Sequence, residues 1–67
     1  MKKVINIEGM SCNHCVAHVK EALEEINGVN VLEVSLDNKN AVVETEVENN
    51  ILIEAIEEEG YDVVSIL

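Results

Sequence analysis

The sequence predicts an α+β fold, a four-stranded antiparallel sheet with two helices packed on one of its faces. Three observations lead there. Several short segments alternate apolar and polar residues, as half-buried strands do. Two longer segments repeat apolar residues at helical spacing. Glycines at 9, 28 and 60 stand between these segments, and no proline interrupts any of them. Strands with a single apolar side need a cover on that side and tolerate water on the other, which puts both helices on the same face.

Residues 3–8 open the chain as a strand, with Ile5 and Ile7 inward and Val4, Asn6 and Glu8 outward. From 13 to 26, Val16, Val19, Leu23 and Ile26 recur at helical spacing; Ser11 or Asn13 is placed to cap the start and Gly28 the end. A second strand over 30–36 is expected to turn Leu32, Val34 and Leu36 inward and Glu33 and Ser35 outward. Asp37-Asn38-Lys39-Asn40 is a turn, and 41–47 returns as a strand with Ala41 and Val43 in, Glu44 and Glu46 out. Residues 49–59 form the second helix, capped by Asn49 or Asn50, apolar through Leu52, Ile53 and Ile56, and stopped by Gly60. Tyr61 to Ile66 is a last short strand. This βαββαβ order is the split-βαβ, or ferredoxin-like, arrangement. The outward Val4, Val31, Val42 and Val64 would stripe the open sheet face, either as a docking surface or simply as good strand formers.

Sixty-seven residues make a single domain, 1–67, with no room for a cleft between lobes. Four Lys, no Arg and 14 acids give a net charge of −10, which argues against nucleic acid and anionic membrane as partners. Charge of that size fits disorder, but 48% apolar residues supply a core, and with Tyr61 as the sole aromatic that core is aliphatic. No segment approaches the roughly 20 apolar residues that span a bilayer. Lys2 and Lys3 resemble the basic end of a signal peptide, but Asn6 and Glu8 break the apolar stretch that should come next, so an unprocessed, cytoplasmic chain is expected.

Chemistry concentrates in Gly9-Met10-Ser11-Cys12-Asn13-His14-Cys15, between the first strand and the first helix. Cysteines three apart at a helix start can aim both sulfurs at one point. The free N–H groups and positive dipole end there favour thiolate over thiol. A thiolate pair is a soft ligand set suited to Cu(I), which accepts two ligands; a structural zinc site usually wants four. Inert core thiols are the duller reading, and the polar neighbours count against it. His14 and His18 share a helix side, but Cys15 to His18 is too short a spacing for a zinc finger, and both read as solvated, with His14 retained as an extra ligand for divalent zinc.

In this setting the segment resembles the GMxCxxC motif of heavy-metal-associated domains. The resemblance runs along essentially the whole chain to Ala55-Ile56-Glu57-Glu58-Glu59-Gly60-Tyr61-Asp62-Val63, which is similar to the ending of bacterial copper chaperones. It implies Cu(I) held by Cys12 and Cys15 and passed on by ligand exchange, with no enzymatic activity. It also implies that Met10 anchors the loop from inside rather than ligating through its thioether, and that Tyr61 sits near the metal, where its hydroxyl can bond a thiolate. Ser11 and His14 complete the loop. The implied partners are metal-binding domains of a copper-transporting P-type ATPase and a copper-responsive repressor, with an apo monomer and a copper-bridged dimer. Three other readings stay open. The chain is a domain of a heavy-metal-transporting ATPase, a zinc- or mercury-binding relative, or a thiol–disulfide oxidoreductase. Against the second, zinc-selective relatives often carry an acid where this chain has Ser11, and mercury-binding relatives are usually exported. Against the third, the proline and tryptophan common around redox CxxC sites are missing. Finally, Glu57, Glu58 and Glu59 crowd the negative end of the second helix, against the dipole, as either a patch for a basic partner or a solvated acidic face.

Overall fold

A computed structural model describes Met1–Leu67. Its elements are β1 (Lys2–Glu8), α1 (Asn13–Glu24), β2 (Val29–Ser35), β3 (Asn40–Thr45), α2 (Asn49–Glu58) and β4 (Asp62–Ile66). The sheet order is β2-β3-β1-β4, and every neighbouring pair is antiparallel. This is the expected βαββαβ fold. Ile5 and Ile7 of β1, Ala41 and Val43 of β3, Val19 and Leu23 of α1, and Leu52 and Ile56 of α2 make the aliphatic core, joined by Met10. Ile53 lies half-buried outside that cluster, at the margin of the apolar face of α2.

The two edge strands depart from simple alternation. In β2, Val31 pairs with Val43 and Glu33 with Val42, which leaves Leu32 as an extra, unpaired residue. A bulge of this kind reverses the in–out phase of the residues beyond it. Val29, Val31 and Val34 therefore pack against the core, while Leu32, expected inside, is 51% exposed. Val31, expected outside, is inside. Leu36 lies beyond the end of the strand, half-buried and outside the core cluster. In β4 the same irregularity makes Val64 the unpaired residue, because Asn6 pairs with Ser65 but Ile7 with Val63. Val63 and Ile66, three apart, both reach the core, and Val64 is 61% exposed. The open-face stripe thus runs through Val4 and Val42, which pair directly, with Leu32 and Val64 at its ends. On the same face Asn6 Nδ2 donates to Ser65 Oγ across the β1–β4 pair at 3.0 Å.

Helix starts also differ from expectation. Cys12, not Ser11 or Asn13, is the N-cap of α1, and Glu48, not Asn49 or Asn50, that of α2; neither makes a side-chain cap bond. Asn13 and Asn49 are the first helical residues, so their amides lie one step too late to cap. The end of α1 is Glu25, and Gly28 serves instead in the turn leading into β2 with φ +94°. At the end of α2, Gly60 (φ +95°) donates to Glu57 O at 3.0 Å and Tyr61 N to Ile56 O at 3.4 Å. That pair of bonds is a Schellman motif, in which the left-handed residue must lack a Cβ to avoid strain. Thr45 of β3, only 3% exposed, is the buried polar residue of the fold. Its hydroxyl is satisfied twice, donating to Gly28 O at 2.8 Å and accepting from Val47 N at 2.9 Å.

Candidate metal centre

The site grows from the β1–α1 connection. Gly9 follows β1 with φ +97°, a conformation open to glycine, and a side chain there would come within 3.6 Å of the Tyr61 ring. The turn sends Met10 back into the core, where it is 4% exposed. Met10 is thus a packing anchor, and the loop beyond it is held from below while its next residues stay in water. Ser11, Cys12, Asn13 and His14 are all exposed; Cys15 is half-buried against the core.

Cys12 has extended backbone (φ −155°, ψ 171°) and its carbonyl accepts the Cys15 and Val16 amides at 3.0 and 3.3 Å. The first helical turn therefore closes on Cys12 itself and swings Cys15 round beneath it. Their Sγ atoms lie 3.4 Å apart, and both thiols are free. With metal–sulfur bonds of about 2.3 Å, a linear S–metal–S unit needs the pair to open by only about 1 Å. Cysteine is a poor helix cap, and no acid occupies the first turn of α1. Ionised sulfurs are therefore the negative charge that this helix supplies to its own start.

Tyr61 arrives from the other side, delivered by the Schellman turn after α2. Hydrogen bonding from its hydroxyl is the main reason that the Cys15 thiol is pulled from 9.0 down to about 6; a backbone bond at Ser11 and the Cys12 thiol add to it, against a smaller effect of burial. The reciprocal effect pushes the Tyr61 phenol up to about 12, chiefly through that bond to Cys15, then through burial and the negative charges of Cys15, Cys12 and Glu59. A thiolate at Cys15 near neutral pH is a ready soft ligand.

Neither histidine hydrogen-bonds to a sulfur. His14 and His18 are exposed on α1, and His18 lines a separate shallow groove with Glu21, Ala22, Glu24, Glu25 and Glu59. No three His, Cys, Asp or Glu side chains converge to hold a metal. What lies together here is the pair of sulfurs, Cys12 exposed and Cys15 half-buried. Glu57, Glu58 and Glu59 are all exposed at the end of α2. Sequence reasoning overlooked Thr45 and the Gly28 carbonyl it bonds, at the opposite end of α1 from the thiols; a threonine in the inward register of β3 was the available signal.

A small α+β sandwich with two close cysteines at the first helix start defines a class of metal-site module. The model of the heavy-metal-associated domain matches residues 4–62, and the chain belongs to that family. It is 48% identical over 67 residues to the copper chaperone CopZ of Staphylococcus haemolyticus, covering 94% of this chain and 97% of that one. It is also 52% identical over 60 residues to the mercuric reductase of Shewanella putrefaciens, covering 87% of this chain but only 11% of that much longer enzyme. Among solved structures, a CopZ metallochaperone superposes with a TM-score of 0.89 at 40% identity, covering 96% of this chain and all of that one. The N-terminal domain of PacS from Synechocystis PCC6803 also gives 0.89, at 28% identity, covering 100% and 97% of the two chains. No helix is long and apolar enough to cross a membrane.

Proposed function

We propose that residues 1–67 act as one domain, a Cu(I) metallochaperone that carries copper on Cys12 and Cys15 and is not an enzyme. The observation that carries this reading is the 3.4 Å separation of two free sulfurs on an exposed, uncapped helix start. Cu(I) is the cargo. Two thiolates satisfy a soft monovalent ion, leaving a net charge of −1 that the free N–H groups of the first turn of α1 offset. Ser11 and His14 flank the sulfurs, Met10 holds the loop against the core, and Tyr61 keeps Cys15 ionised. An incoming thiolate enters from the solvent side, a three-coordinate arrangement forms, and the ion leaves as the original bonds lengthen.

The chemistry of such a hand-over requires a partner with an accessible thiolate pair of its own. We take that partner to be a metal-binding domain of a copper-transporting P-type ATPase in the cytoplasm, with a copper-responsive repressor as a second recipient. The apo chain is a monomer in this reading, and a shared copper ion can bridge two copies. Anaerobic titration with Cu(I) tests it: one equivalent should bind, and Cys12→Ser or Cys15→Ser should abolish stoichiometric binding. Four-donor coordination inert to competing thiols would refute the carrier mechanism.

A second reading has a specific observation behind it. A copper binding domain from HMA7, a P-type ATPase, superposes with the same TM-score of 0.89 as CopZ, so this fold serves ATPase domains as well as free carriers. Transfer assays in both directions separate the two readings, since a carrier gives copper up to an ATPase domain while a domain of the pump receives it.

A further inference from the structure

Asn27 is the one asparagine of this chain that is followed by glycine. It is exposed and lies in the turn between α1 and β2, which Val29 N closes by donating to Ile26 O at 3.3 Å. Gly28 holds φ +94° at the third position of that turn while Asn27 keeps a negative φ, the pattern of a type II turn. Neither the Asn27 side-chain amide nor the Gly28 N–H hydrogen-bonds within the chain. Both reacting groups are therefore free, and no Cβ on residue 28 shields its nitrogen. Rotation of the peptide between the two residues brings the nitrogen towards the amide carbon. Glycine permits that rotation because both signs of φ are open to it, and the Ile26–Val29 bond can persist throughout.

We propose that Asn27-Gly28 is a site of spontaneous covalent modification, and that its isoaspartyl product loosens the α1–β2 connection. The Gly28 nitrogen attacks the Asn27 side-chain carbonyl carbon; a new C–N bond forms, the amide C–N bond breaks, and ammonia leaves with the displaced proton. The cyclic imide then takes up one water and opens at either carbonyl, giving aspartate or isoaspartate. Isoaspartate lengthens the main chain by one methylene directly before Gly28. The Gly28 carbonyl accepts the buried Thr45 hydroxyl at 2.8 Å, so this displacement reaches the end of β3. Asparagines elsewhere precede bulkier residues, whose side chains hinder the attack, and several are held in helices or paired strands.

The test uses the intact, reduced apo chain in warm, mildly alkaline buffer. Anion exchange resolves acidic species, and peptide mass spectrometry with enzymatic isoaspartyl methylation locates them. The first acidic species should carry –OH for –NH2 at residue 27 and accept a methyl group, and it should be absent from Asn27→Gln. Modification at another asparagine first, or at Asn27 only in urea-unfolded chain, overturns the assignment. The purified isoaspartyl form should melt below the parent, whereas Asn27→Asp, which keeps the ordinary main chain, should not. Equal melting of the isoaspartyl form and the parent overturns the coupling to Thr45.

Discussion

The two helices begin in similar ways and are put to opposite uses. Neither has a side-chain cap or an acid in its first turn. At α2, Lys3 Nζ crosses from β1 to donate to Val47 O and Asn49 Oδ1, both at 2.7 Å, and so ties the helix start to the sheet. At α1 no charged side chain crosses over to brace the helix start. The chain turns on Gly9, buries Met10, and leaves Cys12 in the open above a half-buried Cys15 at a helix end with no acid in its first turn. The comparison teaches that an uncapped terminus is tolerable where a lysine braces the fold, and useful where the missing negative charge is to be supplied by a thiolate.

The largest test of that contrast removes the sulfurs. Cys12→Ser should abolish stoichiometric Cu(I) binding, read by anaerobic titration. Because serine is a far better N-cap, the same change should raise stability by about 1 kcal/mol in urea denaturation. Loss of stability instead would mean that Cys12 packs rather than waits. Next in size is Ile56→Ala, which empties a fully buried site and should cost about 2–5 kcal/mol. Leu23→Ala, equally buried, should cost about as much.

A smaller effect is expected from Tyr61→Phe. Hydrogen bonding from the Tyr61 hydroxyl is the largest cause of the fall of Cys15 from 9.0 to about 6. The alkylation rate of Cys15 should therefore titrate with a midpoint near 6 in the parent, and at higher pH in the variant. An unchanged midpoint would assign the acidity to the backbone. Since the folded value lies below the ordinary one, the thiolate adds stability above about 9 that declines as pH falls and is gone below about 6. The parent should show this slope between those values more steeply than Tyr61→Phe. Smallest of all, Glu48→Ser supplies the missing cap of α2 and should stabilise by about 0.5–1 kcal/mol, leaving copper binding untouched.

Much of this was legible in the chain itself. Ile5 and Ile7, Val19 and Leu23, and Ala41 and Val43 declare their buried faces by spacing, and all are in the core. The β1–α1 loop was recognisable because glycine, methionine and two cysteines at fixed intervals have few other uses together. What spacing could not show was the phase of β2 and β4. Leu32 and Val64 lie in runs that read as regular strands, yet each is the residue left over when its strand registers against its neighbour, β3 for Leu32 and the distant β1 for Val64. Caps failed for a related reason: Ser11, Asn13, Asn49 and Asn50 are all good capping residues, and a shift of one position decides which of them can reach a free amide.

Sequence alone therefore determined the order of the elements, the aliphatic faces of the core and the pairing of two sulfurs at the start of α1, since each depends on residues within a turn or two of one another. Tertiary structure decided that Leu32 faces water, that Lys3 braces α2, and that the Tyr61 hydroxyl lowers the Cys15 thiol. The last two join residues 44 to 46 positions apart, and the first depends on how β2 registers against β3; local periodicity carries no record of either.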